Sequence, residues 1–239
     1  MASRGFPGFR AALERLHAPR SPADVAADGP ALTRLAYDEL LANQLALLLV
    51  RQSRAKAAGR SLRARGERRA KALESLTFKL TEAQRAALKE IFADMAAPHR
   101  MVRLLQGDVG SGKTIVAFLA MLQAVEAGAQ AALMAPTEIL ARQHLDTLAP
   151  LAAAAGVTID IVTGRDKAAA RAEKLARISA GETDIVLGTH ALFQEDVAFR
   201  DLAFVVIDEQ HRFGVHQRAA LGKKGPRPDL LVMTATPIP

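Results

Sequence analysis

The stretch Gly107-Asp108-Val109-Gly110-Ser111-Gly112-Lys113-Thr114 fits the pattern G-x-x-x-x-G-K-[ST]. It is preceded by MVRLLQ, a strand-type run from Met101 to Gln106, and followed by IVAFLAMLQAVEA, an apolar helix former. A strand, a glycine-rich loop and a helix in that order are the setting in which such a pattern binds phosphate. Glycines let the loop close around an anion with backbone N–H groups pointing inward. The helix beginning near Lys113 adds the positive end of its dipole. Lys113 supplies a mobile positive charge for the outer phosphates, and the Thr114 hydroxyl is placed to ligate Mg²⁺. A glycine-rich turn with an incidental lysine would not account for the strand and helix on its two sides. Residues 107–114 are therefore read as a nucleotide-binding loop.

Downstream, strand-type and helix-type stretches alternate. Strands are predicted at 101–106, 130–135, 157–162, 183–188, 203–207 and 229–234. Helices are predicted near 82–96, with Thr81 as N-cap, and near 113–127, 138–152 and 167–179, with a short one near 214–221. Alternation on this scale predicts an α/β fold, a parallel sheet with helices on both faces. Ligands of such sheets gather at the carboxyl ends of the strands. That rule would line up residues 107–114, Pro136-Thr137-Glu138, Thr189-His190, Asp208-Glu209 and Thr234-Ala235-Thr236 along one edge. The run FVVIDE reads as a buried strand ending in two acids. Phosphoryl transfer to water needs Mg²⁺ bridging the outer phosphates and a group that orients the water. Asp208 can serve the metal, directly or through metal-bound water, and Glu209 can serve the water.

The first part of the chain is different. Residues 1–30 are poorly patterned, with prolines at 7, 19, 22 and 30 and one short helix expected over Phe9–His17. From Ala31 to Ala58 the sequence reads as one long helix. Tyr37, Leu41, Leu45 and Leu48 form one face of it, widened by Leu40 and Leu47, and that face is expected to dock onto the domain that follows. Residues 1–75 hold 14 Lys and Arg against 7 Asp and Glu, whereas residues 76–239 hold 18 of each, so the net charge of +7 sits wholly in the first segment. A one-sided basic excess suggests a polyanionic partner. The run Arg51–Lys71 is either a solvated linker or a phosphate-contacting segment; it has no interleaved aromatic residue for stacking on bases. There is no cysteine, hence no disulfide framework or thiolate metal site. Neither a signal peptide nor a membrane-length apolar run is present, and a cytoplasmic enzyme without membrane contact fits best. The expected organisation is a basic helical linker over 1–75 and a nucleotide-binding domain over 76–239.

In chain order, GDVGSGKT, MAPTEILARQH, DIVLGTHALF, VVIDEQHRFGVHQR and VMTATPIP resemble the first-domain motifs of superfamily 2 helicases. The resemblance is closest to the RecG family of bacterial translocases that remodel branched DNA, and it extends over residues 31–239. Transcription-repair coupling factors share part of the pattern, but usually carry an aromatic residue at Ser111 and an acid at Gln210. Replication-restart helicases lack the HRFGVHQR continuation. A GTPase would need an Asn-Lys-x-Asp motif, and the one asparagine, Asn43, is not followed by Lys.

The RecG resemblance implies a RecA-like P-loop NTPase domain that uses ATP and Mg²⁺. It implies that Gln84 reads the adenine edge, with Phe78 stacking nearby. Gly107 to Thr114 hold the phosphates, Thr114 and Asp208 the metal, and Lys113, Asp208 and Glu209 carry the catalysis. Gln210, His211, Thr234 and Thr236 would couple hydrolysis to movement. Pro136, Thr137, Arg142, Gly164, Thr189 and His190 resemble positions that track a DNA backbone. The implied substrate is DNA at stalled forks and Holliday junctions, acted on by a monomer. The family also has a second motor domain with an arginine finger and an N-terminal OB-type wedge. Neither is found in residues 1–239, so the expectation is a linker helix plus first motor domain. A transcription-coupled translocase and a nucleotide-binding partner-docking piece stay open as alternatives.

Overall fold

The computed structural model describes residues 6–55, 59–194, 196–209 and 228–235. It divides into two compact units, Met1–Lys56 and Ala57–Pro239. In the first unit, α1 (Phe9–His17) and α2 (Pro30–Ala55) are joined by a 3-10 turn at Pro22–Val25. Pro22 presets the turn, and the Asp24 carboxylate accepts from Ser21 N at 3.0 Å, closing it from below. Phe6 meets Tyr37 at 5.4 Å between ring centroids, and Arg34 pairs with Asp38 at 2.8 Å while donating to Pro7 O. The leucine face is half-buried at Tyr37 and Leu41, whereas Leu40, Leu45 and Leu48 are exposed. Among the described residues no helix is long and apolar enough to cross a membrane.

The second unit contains β1 (Val102–Gln106), β2 (Gln130–Met134), β3 (Ile159–Val162), β4 (Ile185–Gly188), β5 (Leu202–Asp208) and β6 (Asp229–Thr234). All pair in parallel, in the order β1-β6-β5-β2-β4-β3. Each predicted strand is present. β2, β4, β5 and β6 are buried along their full length, as expected of strands covered on both faces. Alternate residues serve two separate cores. Leu133, Leu187, Phe204, Val206 and Met233 face α3 (Glu67–Glu74), α4 (Glu82–Met95), α5 (Lys113–Glu126) and α6 (Glu138–Ala155). Met134, Val186, Val205, Ile207 and Val232 face the other way, toward Leu175 and Ile178 of α7 (Ala168–Ala180). Helix α5 is buried from Ile115 to Val125, which is why its sequence is apolar all round.

The unit boundary falls after Lys56, not at 75/76, because the basic stretch packs on the sheet domain. Leu62 is buried in the first core, its N–H donating to Met95 O at 2.7 Å and its carbonyl accepting from Gln123 Nε2 at 2.7 Å. Glu126 Oε1 accepts the N–H groups of Gly66 and Glu67, capping α3 from outside because Gly66 has no side chain to do so. Arg60 pairs with Asp201, Arg68 donates to Gly156 O, and Arg69 lies 4.0 Å from the Phe92 ring centroid. All these anchors sit where helices end and strands begin, at the pole opposite the carboxyl ends. Helices α4, α5 and α6 carry no basic residue in their last turns, so Arg68 and Arg69 bring positive charge to helix ends that lack it. From Gly59 to Lys71 the run is thus an ordered belt, with Arg63, Arg65 and Lys71 left exposed.

Candidate nucleotide site and nucleic-acid edge

The loop after β1 is shaped by glycine. Gly110 and Gly112 have φ of 80° and 81°, a region that side chains disfavour. A Cβ on Gly107 would stand 2.8 Å from Ser111 Oγ, and one on Gly112 would collide with Gln84 Nε2. Helix α5 starts directly after Gly112 with no side-chain cap, which leaves its first backbone N–H groups for an anion. Lys113 folds back over the loop, donating from Nζ to Gly107 O at 2.6 Å and to Asp108 O at 2.8 Å. Thr114 is half-buried in the first helical turn, and Asp108, Val109 and Ser111 are exposed on the outside of the loop.

Gln84 lies against this loop. It makes a reciprocal capping box with Thr81 at the start of α4, and its Nε2 donates to Ser111 O at 2.8 Å. Both ends of its amide are therefore engaged. Phe78 stands half exposed just before that helix.

The acids sit two strands away from the loop, and β6 lies between them. Gln106 of β1 and Asp208 of β5 pair with Thr234 and Met233 of β6. Just beyond, Gly107 N donates to Thr234 O at 3.3 Å and Glu209 N to Met233 O at 3.0 Å. Two successive carbonyls of β6 thus hold the first residue of the loop and the second acid. Glu209 has φ of 53°, the one non-glycine residue with positive φ among those described. Such backbone costs about 1–3 kcal/mol and persists where neighbours over-determine it. Asp208 is buried, and its Oδ2 lies 2.9 Å from His144 Nε2 of α6.

Sequence reasoning passed over His144. The signal was its place on the buried stripe of α6, between Ala141 and Leu148, where a polar ring needs a partner. Gln210, His211 and Thr236, and the helix expected near 214–221, lie outside the described residues.

The donor set fits Mg²⁺ held jointly with phosphate. Among the described residues no group of three or more His, Cys, Asp or Glu side chains could form a cage. A hydroxyl, Thr114, and one carboxylate, Asp208, are what such a shared ion takes from protein.

The remaining candidates occupy the other half of the same edge. Pro136 and Thr137 follow β2, Thr189 and His190 follow β4, and Gly164 follows β3. Thr137 caps α6, accepting from Leu140 N at 3.3 Å. Arg142 is half exposed and pairs with Glu138 at 2.9 Å, which Arg165 also approaches at 3.7 Å. Thr189 is buried at its side chain, whereas Gly164 and His190 are exposed. Strand order therefore gathers the nucleotide candidates on β1, β6 and β5, and the tracking candidates on β2, β4 and β3.

A family model described as DEAD/DEAH box helicase matches residues 81–239. The chain is 47% identical to the ATP-dependent DNA helicase RecG of Bacillus subtilis (strain 168), over 98% of this chain and 34% of that protein. It is 44% identical to the RecG of Escherichia coli (strain K12), over 99% of this chain and 35% of that protein. The chain thus spans about a third of the length of these curated relatives. A solved structure of RecG bound to a three-way DNA junction superposes with a TM-score of 0.81 at 41% identity, covering 100% of this chain and 32% of that one.

Proposed function

The chain belongs to the DEAD/DEAH box helicase family, and from that premise we propose that it is the linker helix and first motor domain of a RecG-type helicase that remodels branched DNA with ATP. The observation that carries the reading is the seating of the phosphate loop and the acid pair on adjacent carbonyls of β6. One strand end thereby references the group that grips the nucleotide to the group that directs the water.

In this proposal the uncapped start of α5 and the loop N–H groups bind the phosphates. Lys113 leaves the carbonyls of Gly107 and Asp108 and neutralises the outer phosphate oxygens. Thr114 and Asp208 would hold Mg²⁺, which would supply charge neutralisation at the phosphates. Glu209 accepts a proton from the attacking water, and its carboxylate is aimed by the strained backbone. Gln84 exchanges its Ser111 contact for the adenine edge, Phe78 stacking beside it. Thr234, with Gln210, His211 and Thr236, passes the change at the phosphates to the DNA edge. Pro136, Thr137, Arg142, Gly164, Thr189 and His190 lie along a DNA backbone at the β2, β4 and β3 ends. Forks and junctions are the proposed substrates.

Two substitutions test the site. Lys113→Ala is expected to lose ATP binding, because no other basic side chain belongs to residues 107–114. Glu209→Gln, in a polypeptide carrying both motor domains, is expected to bind ATP with near-normal affinity and not hydrolyse it. Unchanged affinity in the first, or near-normal turnover in the second, would remove the residue from its role.

A further inference from the structure

We propose that His144 is a positioning residue for the nucleotide site, its ring fixing the Asp208 carboxylate in the orientation a phosphate-bound Mg²⁺ requires. The inference rests on the reading that Asp208 is the metal-side carboxylate. His144 Nε2 and Asp208 Oδ2 are 2.9 Å apart, with side chains 13% and 12% exposed. Alternation along β5 puts Asp208 on the same face as Phe204 and Val206, the face that α6 covers. On α6, His144 falls one turn from Ala141 and one turn from Leu148, both fully buried, so it lies on the core-facing side of the helix. A carboxylate is acceptor-only, so the ring nitrogen facing it carries the hydrogen. The bond occupies Oδ2 and leaves Oδ1 as the oxygen for the metal or its water. An aspartate on a strand end otherwise has freedom about both side-chain torsions, and one donor on the core-facing side of α6 restricts it. A side chain that hydrogen-bonds a metal-binding carboxylate orients it in this way.

Dependence of nucleotide affinity on Mg²⁺ separates positioning of Asp208 from a purely structural His–Asp pair. Residues 1–239 would be prepared as wild type, His144→Ala, His144→Asn, His144→Gln and Lys113→Ala. Affinity for a slowly hydrolysed ATP analogue would be measured in excess chelator and over rising Mg²⁺, with circular dichroism as the folding control.

Glutamine places its Nε2 the same number of bonds from Cα as histidine does, whereas asparagine stops one bond short. The expected result is a loss of about 10- to 100-fold in Mg²⁺-supported affinity for His144→Ala, with affinity in chelator unchanged. His144→Gln should recover most of that loss, and His144→Asn should not. Should the alanine variant fail to fold, the Asn and Gln pair carries the same comparison.

Wild-type behaviour of His144→Ala, an equal loss with and without Mg²⁺, or no difference between Gln and Asn would overturn the positioning role while leaving the nucleotide site intact. If wild type shows no Mg²⁺-supported binding, or Lys113→Ala binds as well as wild type, the site reading fails and this inference with it.

Discussion

Asp229 shows what one residue at the far pole contributes. It opens β6 with a buried carboxyl group; Oδ1 accepts from Met101 N at 2.7 Å, and Oδ2 has no partner among the described residues. Burial pushes this carboxyl up to about 6, against the pull of the Met101 N–H and of Arg100. The folded chain therefore retains a proton that the unfolded chain releases near 3.8. The favourable contribution is complete below the lower value and is lost as pH rises through the interval between them. Asp229→Asn keeps an acceptor for Met101 and removes the ionisation. It should flatten that part of the stability–pH profile and be more stable than the parent above pH 6 by up to about 3 kcal/mol. Denaturant unfolding at pH 4 and pH 7.5 checks this; an equal gain at both would rule out the buried ionisation as the cause. At the opposite pole, Glu209 illustrates a different residue-scale cost, backbone strain located at the proposed catalytic base.

Among elements, the belt from Gly59 through α3 changes the meaning of the basic excess. Arg60, Arg68 and Arg69 are engaged with Asp201, Gly156 O and Phe92, so much of the run serves the fold. Burial lowers the pKa of Arg69 despite Glu126 nearby, as expected of a guanidinium packed on apolar surface. Arg63, Arg65 and Lys71 are exposed, and of the belt they remain the candidates for phosphate contact. Two double variants separate these roles. Arg63→Gln with Arg65→Gln should lower the log–log salt slope of duplex binding by about 0.9 for each phosphate no longer neutralised, without affecting stability. Arg68→Gln with Arg69→Gln should cost about 1–2 kcal/mol in denaturant unfolding, because the cation–π interaction with Phe92 and the packing of the arginine stems are removed. An unchanged salt slope in the first pair would remove Arg63 and Arg65 from phosphate contact.

For the molecule as a whole, the decisive feature is the strand order. It places nucleotide groups and tracking candidates on two halves of one edge, meeting where β5 pairs with β2. Helix α6 spans that meeting point, with Thr137 at its start and His144 on Asp208. In the proposed reading, residues 1–239 supply one wall of a two-domain site. Charge developing during phosphoryl transfer also needs stabilising from the far side, which the RecG resemblance leads us to expect from an arginine of a second motor domain. Such a finger is worth roughly 10³–10⁵ in rate in other phosphoryl-transfer enzymes. Residues 1–239 alone should therefore bind ATP but turn it over slowly and without response to forked DNA. A polypeptide carrying both motor domains, as the proposal requires, should show both full turnover and fork stimulation. Full turnover with fork stimulation from residues 1–239 would show that the site is complete within them.

The sequence by itself determined the glycine-rich loop, the six strands, the covering helices α4 to α7 but not α3, the acid pair and the two chemical halves of the chain. Those features are written in adjacent residues: glycine spacing, apolar period and strand-end acids each act over a few positions. Part of the capping was legible too, since Thr81 and Gln84 lie three residues apart. Only the tertiary structure decided the order of the strands, the fate of the basic run and the partner of Asp208. Strand order depends on which crossovers bury most apolar surface together. The belt depends on Glu126 and Gly156, far along the chain from Gly66 and Arg68. His144 and Asp208 are 64 positions apart and meet because β2 and β5 are neighbours, so that the helix leaving one covers the end of the other.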